Sequence, residues 1–170
     1  MTNGGIAGLT STSGVLDESG RLTGLIASYL LLLQVLLMAR VPFVEQAFGQ
    51  DGLTRLHRWV GFSSFTLMLA HIALITLGYA ADAHQSIWGQ IVDFTLTYPA
   101  MLLALAGTVA LCLVVVTSIK PLRPASATRS PRSRALRYES WHLLHLYAYL
   151  GVGLALPHQL WTGRDFLASP

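Results

Sequence analysis

The sequence predicts an all-α polytopic transmembrane bundle with about four spanning helices, and three observations carry that prediction. Of 170 residues, 53% are hydrophobic and only 11% are charged, against roughly 25% charged in an ordinary soluble domain; the mean hydropathy is +0.54. Four stretches run for 18 residues or more without Asp, Glu, Lys or Arg: Leu22 to Ala39, Trp59 to Ala81, Phe94 to Ile119 and Ser140 to Gly163. As helices, each is long enough to cross a hydrocarbon layer of about 30 Å. Their Leu, Ala and Val content shows no period-two alternation, which argues against barrel strands, the other fold that satisfies backbone groups in lipid.

The elements follow in order. Residues 1–20, rich in Gly, Ser and Thr, are expected to form a flexible polar tail. The first helix is expected over about residues 22–39. It is no cleavable leader, because no basic segment precedes it and Arg40 and Pro42 stand where small residues would mark a cleavage site. The second, third and fourth helices are expected over about 56–81, 95–119 and 138–162. Residues 120–137 form a basic loop, 165–170 a C-terminal tail, and the membrane domain as a whole covers 21–164.

Basic residues set the orientation. Lys120, Arg123, Arg129, Arg132, Arg134 and Arg137 crowd the third connection with no acid among them, which places it in the cytoplasm. The second connection holds Asp82, His84 and Asp93 and neither Lys nor Arg, and belongs outside. Arg40, Arg55 and Arg58 put the first connection inside. The second and fourth helices therefore run parallel, from inside to outside, in an integral protein of the cell membrane, expected to be bacterial. Topology and anionic headgroups account for the basic loop, so lipid is a partner and nucleic acid is not. Docking of an acidic flavoprotein is its functional alternative.

Within that frame the histidines become informative. His57 and His71 lie 14 residues apart on the second helix, and His145 and His158 lie 13 apart on the fourth. At about 1.5 Å per residue each pair spans roughly 20 Å of depth. Two parallel helices would then offer one histidine each at an inner and an outer level, a layout for two stacked metal centres. On a regular helix His71 falls about 40° from the bearing of His57, which is one face, whereas His158 falls about 140° from His145. Pro157 is expected to re-aim His158 by kinking the helix or admitting a wider turn. His142 is an alternative inner candidate, with a phase no better.

Imidazole ligates zinc, copper and iron, so the histidines alone do not choose the metal. Facing pairs of neutral imidazoles in apolar surroundings, without carboxylate or thiolate partners, suit haem iron with both axial positions filled. Cys112 is the lone cysteine and no Cys-x-x-Cys-His attachment motif exists, so the haems would be b-type and non-covalent. Iron ligated twice by protein leaves no position for oxygen, which points to electron transfer.

At these residues the sequence resembles a known family. Leu56-His57-Arg58-Trp59-Val60, then Leu69-Ala70-His71, Tyr138-Glu139, His142, His145 and Pro157-His158 are similar to the ferric reductase-like transmembrane domain shared by NADPH oxidases, ferric reductases and bacterial relatives. The resemblance implies His57 and His145 as inner haem ligands and His71 and His158 as outer ones; Tyr138-Glu139 ahead of His145 favours it over His142. It also implies electron transfer from a cytoplasmic flavin donor to an acceptor outside. Family members usually have about six helices, and many carry a flavin and nicotinamide domain. This sequence has four expected spans and no Gly-rich dinucleotide fingerprint, so FAD and NAD(P)H would come only through a partner or missing reductase domain.

Each residue also has an ordinary role. Histidines near the interface, such as His57 and His142, commonly snorkel or hydrogen-bond, whereas His71 deep in a span is a functional candidate by default. Arg58, beside His57, is a candidate propionate partner or an interfacial anchor. Gln34 reads as an interhelical hydrogen bond. Phe62, Phe65 and Tyr149 are haem-lining or plain core residues. The competing function is a haem-free transporter, or a proton or metal relay built on the same histidines; the absence of Asp and Glu from the four spans weighs against a relay.

Overall fold

The structure, a computed structural model, describes residues 11–39, 41–119 and 145–160. Its helices are α1 (Thr12–Met38), α2 (Pro42–Asp82), α3 (Ile87–Thr97) and α4 (Met101–Ile119), followed by α5 (145–160). Among the described residues α1, α2 and α4 are each long and apolar enough to cross a membrane; α5 is the described part of the fourth expected span. The all-α membrane class is thus what the chain adopts. It divides into two compact units, Met1–Phe94 and Thr95–Pro170, taken here in turn.

Helix α1 begins at Thr12, well before the expected start near residue 22, so residues 12–20 are helix rather than tail. The reason is local: Ser11 adopts an extended conformation and its hydroxyl accepts from the Gly14 amide at 3.0 Å, a side-chain cap for one of the orphan donors at a helix start. Hydropathy reports which residues prefer lipid, not where the backbone becomes helical, and the polar run Asp17-Glu18-Ser19 hid the continuity. Helix α2 likewise begins at Pro42, a residue suited to a first helical position. It breaks at Gly49, whose φ of 68° and ψ of 153° fall in a region open essentially to glycine.

The first unit is an antiparallel hairpin of α1 and α2, whose register is visible in paired close approaches. Asp17 meets Gly78, Gly20 meets Ile75, Gly24 meets His71, and Gln34 meets Gly61. Toward the turn, buried Leu37, Leu53 and Val60 cluster with Leu30, Leu33, Met38 and Val44. Small residues set the approach. A Cβ at Gly20 would stand 2.8 Å from the Ile75 side chain, and one at Gly24 would stand 2.5 Å from Nδ1 of His71. Gly20 and Gly24 form the small-xxx-small spacing by which membrane helices come close, where apolar burial gives no driving force. The opposite face of α1 presents Leu22, Leu25, Tyr29, Leu32 and Leu36, all exposed, which is a surface for lipid.

Hydroxyl side chains within the helices spend their protons locally. Thr23 donates to the Ser19 carbonyl at 3.0 Å, Ser28 to Gly24 at 2.8 Å, Ser64 to Gly61 at 3.0 Å and Thr108 to Ala104 at 2.9 Å. Each is thereby tolerated where water is absent.

Where the second connection was expected, the chain forms α3. Ser86 accepts from the Gly89 amide at 3.1 Å, and Phe94 stacks edge-on against Tyr79 of α2 with ring centroids 5.1 Å apart. The expected third span at 95–119 is accordingly split. Helix α3 ends at Thr97, Pro99 disfavours helix at the residue before it, and Ala100 adopts a φ of 62° before α4 begins. A left-handed alanine is strained, so Ala100→Gly is expected to stabilise the protein by about 1 kcal/mol, raising the thermal midpoint in detergent by about 2–4 °C; an unchanged or lower midpoint would contradict the strain.

In the second unit α4 and α5 cross antiparallel at a pair of glycines. A Cβ at Gly107 would lie 2.6 Å from the Gly151 carbonyl, and one at Gly151 would lie 2.9 Å from Leu111. Gly151 therefore serves helix–helix contact, as Gly61 does against Gln34. Leu111 and Val114 are buried here.

Candidate functional site

The hairpin register positions the two histidines of α2. His57 and His71 both face α1, in agreement with their nearly shared bearing. His71 is half-buried, and its Nδ1 lies 2.7 Å from the Gly20 carbonyl oxygen. A carbonyl only accepts, so Nδ1 carries a proton, and in the neutral form of the ring the lone pair is then at Nε2. Gly24 leaves the space in which the ring sits. Metal-bound histidines commonly hold their second nitrogen in this way, which fixes tautomer and ring orientation.

His57 is held through its other nitrogen. Its Nε2 lies 3.3 Å from the side-chain amide nitrogen of Gln34, within hydrogen-bond distance. The Oε1 of Gln34 is buried without a hydrogen-bond partner among the described residues. The interhelical bond expected of Gln34 is therefore present, and its partner is the candidate inner ligand. The two α2 histidines lie about four helical turns apart.

On α5, His145 and His158 are half-buried with buried Nδ1 atoms, and the helix continues through Pro157 to residue 160. Arg58 is exposed beside His57. Phe62 and Tyr149 are exposed, with Trp59 at 68% exposure, so Trp59 faces outward as a belt residue would, while Phe65 is half-buried. His142, Tyr138, Glu139, Trp141, Trp161, the basic segment 120–137 and the tails 1–10 and 165–170 lie outside the described residues.

Among the described residues no three His, Cys, Asp or Glu side chains converge as they would on a bare metal ion. A porphyrin iron needs only two axial imidazoles from the protein, and a neutral ring with a fixed Nδ1 proton and an Nε2 lone pair fits that demand at His71. Sequence reasoning missed the Gly20 carbonyl, since a backbone acceptor leaves no side-chain signal; the Gly20–Gly24 spacing was the available clue.

No solved structure matches the chain. The family described as ferric reductase like transmembrane component matches residues 23–156, a stretch that contains His57, His71 and His145 and stops two residues short of His158. The chain belongs to the ferric reductase like transmembrane component family, and is an integral membrane component of an oxidoreductase.

Proposed function

We propose that the chain conducts electrons across the membrane through two b-type haems, an inner one held by His57 and His145 and an outer one held by His71 and His158. The observation that carries the proposal is the His71 ring, set within a span with Nδ1 on the Gly20 carbonyl and its Nε2 lone pair left for a metal. A reduced flavin in the cytoplasm, on a partner protein or reductase domain, is the donor, and the acceptor lies outside. The basic residues 120–137 mark the cytoplasmic side by the positive-inside rule.

Haems held by these histidines would supply one-electron chemistry. The rest is the work of the protein. Gly20 orients the outer ligand through its carbonyl, and Gly24 keeps the ring's space clear. Helix α2 separates its two histidines by about 20 Å of depth, so each would hold a haem at its own level. Arg58, exposed beside His57, is the proposed partner of a haem carboxylate through a charge-assisted bond. The exposed leucines of α1 meet lipid and help exclude water from the hairpin.

Absorption spectroscopy of the purified full-length chain tests the proposal. A red protein is expected, with a Soret band that sharpens and shifts on dithionite and two haems per polypeptide by pyridine haemochrome assay. A colourless preparation, or one loaded with zinc, would replace the proposal with a haem-free transporter or metal relay.

A further inference from the structure

The two α2 histidines are held through opposite ring atoms. His71 is fixed by Nδ1, the nitrogen that faces away from a metal, whereas His57 is engaged at Nε2, the nitrogen that would bind one. Turning the Gln34 amide over would aim Oε1 at the ring instead, and Nε2 would still be the atom engaged. From this asymmetry, and resting on the two-haem proposal, we infer that Gln34 is a positioning residue that caps the inner ligand: its amide occupies the iron-binding nitrogen of His57 and must leave before the inner haem can be ligated.

Three features of the hairpin support a cap over a passive interhelical bond. Gln34 approaches α2 at Gly61, where the missing side chain lets the amide lie against the helix backbone. Among the described residues its Oε1 is buried and without a partner, and the hydrogen bond its amide makes is to His57. Among the described residues the α1 position opposite His71 is Gly24, which has no side chain to cover the outer ligand. The outer ligand is therefore preset, while ligation at the inner one would exchange the Gln34–His57 hydrogen bond for a bond to iron. Interhelical hydrogen bonds in membranes contribute modestly, so the cap biases inner-site affinity without abolishing it.

The test is haem partitioning between the full-length protein in detergent and apomyoglobin at increasing ratios, with H57A identifying the inner step. Q34M refills the space against Gly61 without a donor. It is expected to tighten the inner step about 3- to 10-fold, the scale of one lost competing hydrogen bond, and to leave the outer step unchanged. Q34L carries the same expectation and decides the matter should Q34M fail to fold. An unchanged or weakened inner step, or an equal shift in both steps, overturns the cap. Wild-type protein that takes up no haem overturns the two-haem proposal itself, whereas two haems with no response to Gln34 substitution overturns the cap alone.

Discussion

Replacing His71 with alanine is expected to remove one of two haems from the purified chain and to leave the other with its bis-histidine spectrum. The expectation follows from depth and tautomer. His71 lies 14 residues from His57 on one face of α2, about 20 Å further across the bilayer, so its loss strips one level alone. Alanine also abandons the Gly20 carbonyl, which the Nδ1 proton satisfied, but a helix carbonyl already serves the backbone bond of its own helix and tolerates the loss. Haem quantification per polypeptide, with electron paramagnetic resonance to count low-spin centres, checks the result. Retention of both haems would show that His71 is not a ligand, and loss of both would show that the levels are not independent.

The second large effect is expected from adding one methyl group on the neighbouring helix. In Gly24→Ala the new Cβ would stand 2.5 Å from Nδ1 and 2.8 Å from Cε1 of His71, closer than non-bonded atoms approach. Either the ring turns away or α1 withdraws, and both break the bond to Gly20. Overpacking of this kind costs about 1–3 kcal/mol, and loss of an orienting partner typically lowers metal affinity about 10- to 100-fold. Haem partitioning should therefore show the outer step weakened by that factor while the inner step holds. Gly153→Ala provides the control, since among the described residues a Cβ there meets nothing within 4 Å and the same gain in helix propensity should leave both steps unchanged. An outer step in Gly24→Ala that matches wild type would mean that the Gly20 carbonyl does not set the ligand.

The two substitutions separate what a ligand does from what its support does. His71→Ala removes the donor atom; Gly24→Ala leaves the imidazole in the chain but misdirects it. If the outer haem depends on both, then α1, which contributes no ligand, is part of the site. That role explains why a helix without a histidine carries the Gly20–Gly24 pair against His71 and Gln34 against His57.

Much of the fold was legible in residue order because its cause is local. Four uncharged stretches announce the membrane, since transfer into hydrocarbon is a sum over single residues. The shared bearing of His57 and His71 follows from helix geometry alone, and both do face α1. Element boundaries were less legible for the same reason that spans were clear: hydropathy is blind to helix outside lipid. It missed Thr12 to Gly20, which a Ser11 cap makes helical, the α2 segment ahead of Gly49, and the helix α3 placed where a connection was expected.

By itself the sequence determined the lipid environment, the all-α class and the histidine pairs at matched separations, because each depends on residue type and on distance along one chain. Only the tertiary structure decided which nitrogen of each imidazole is held, that a backbone carbonyl of Gly20 fixes His71, and that the amide of Gln34 covers His57. Those contacts join residues 51 and 23 positions apart, and they depend on the register in which two helices meet. That register is set by where glycines let the backbones approach, a property of the pair of helices that neither helix carries alone.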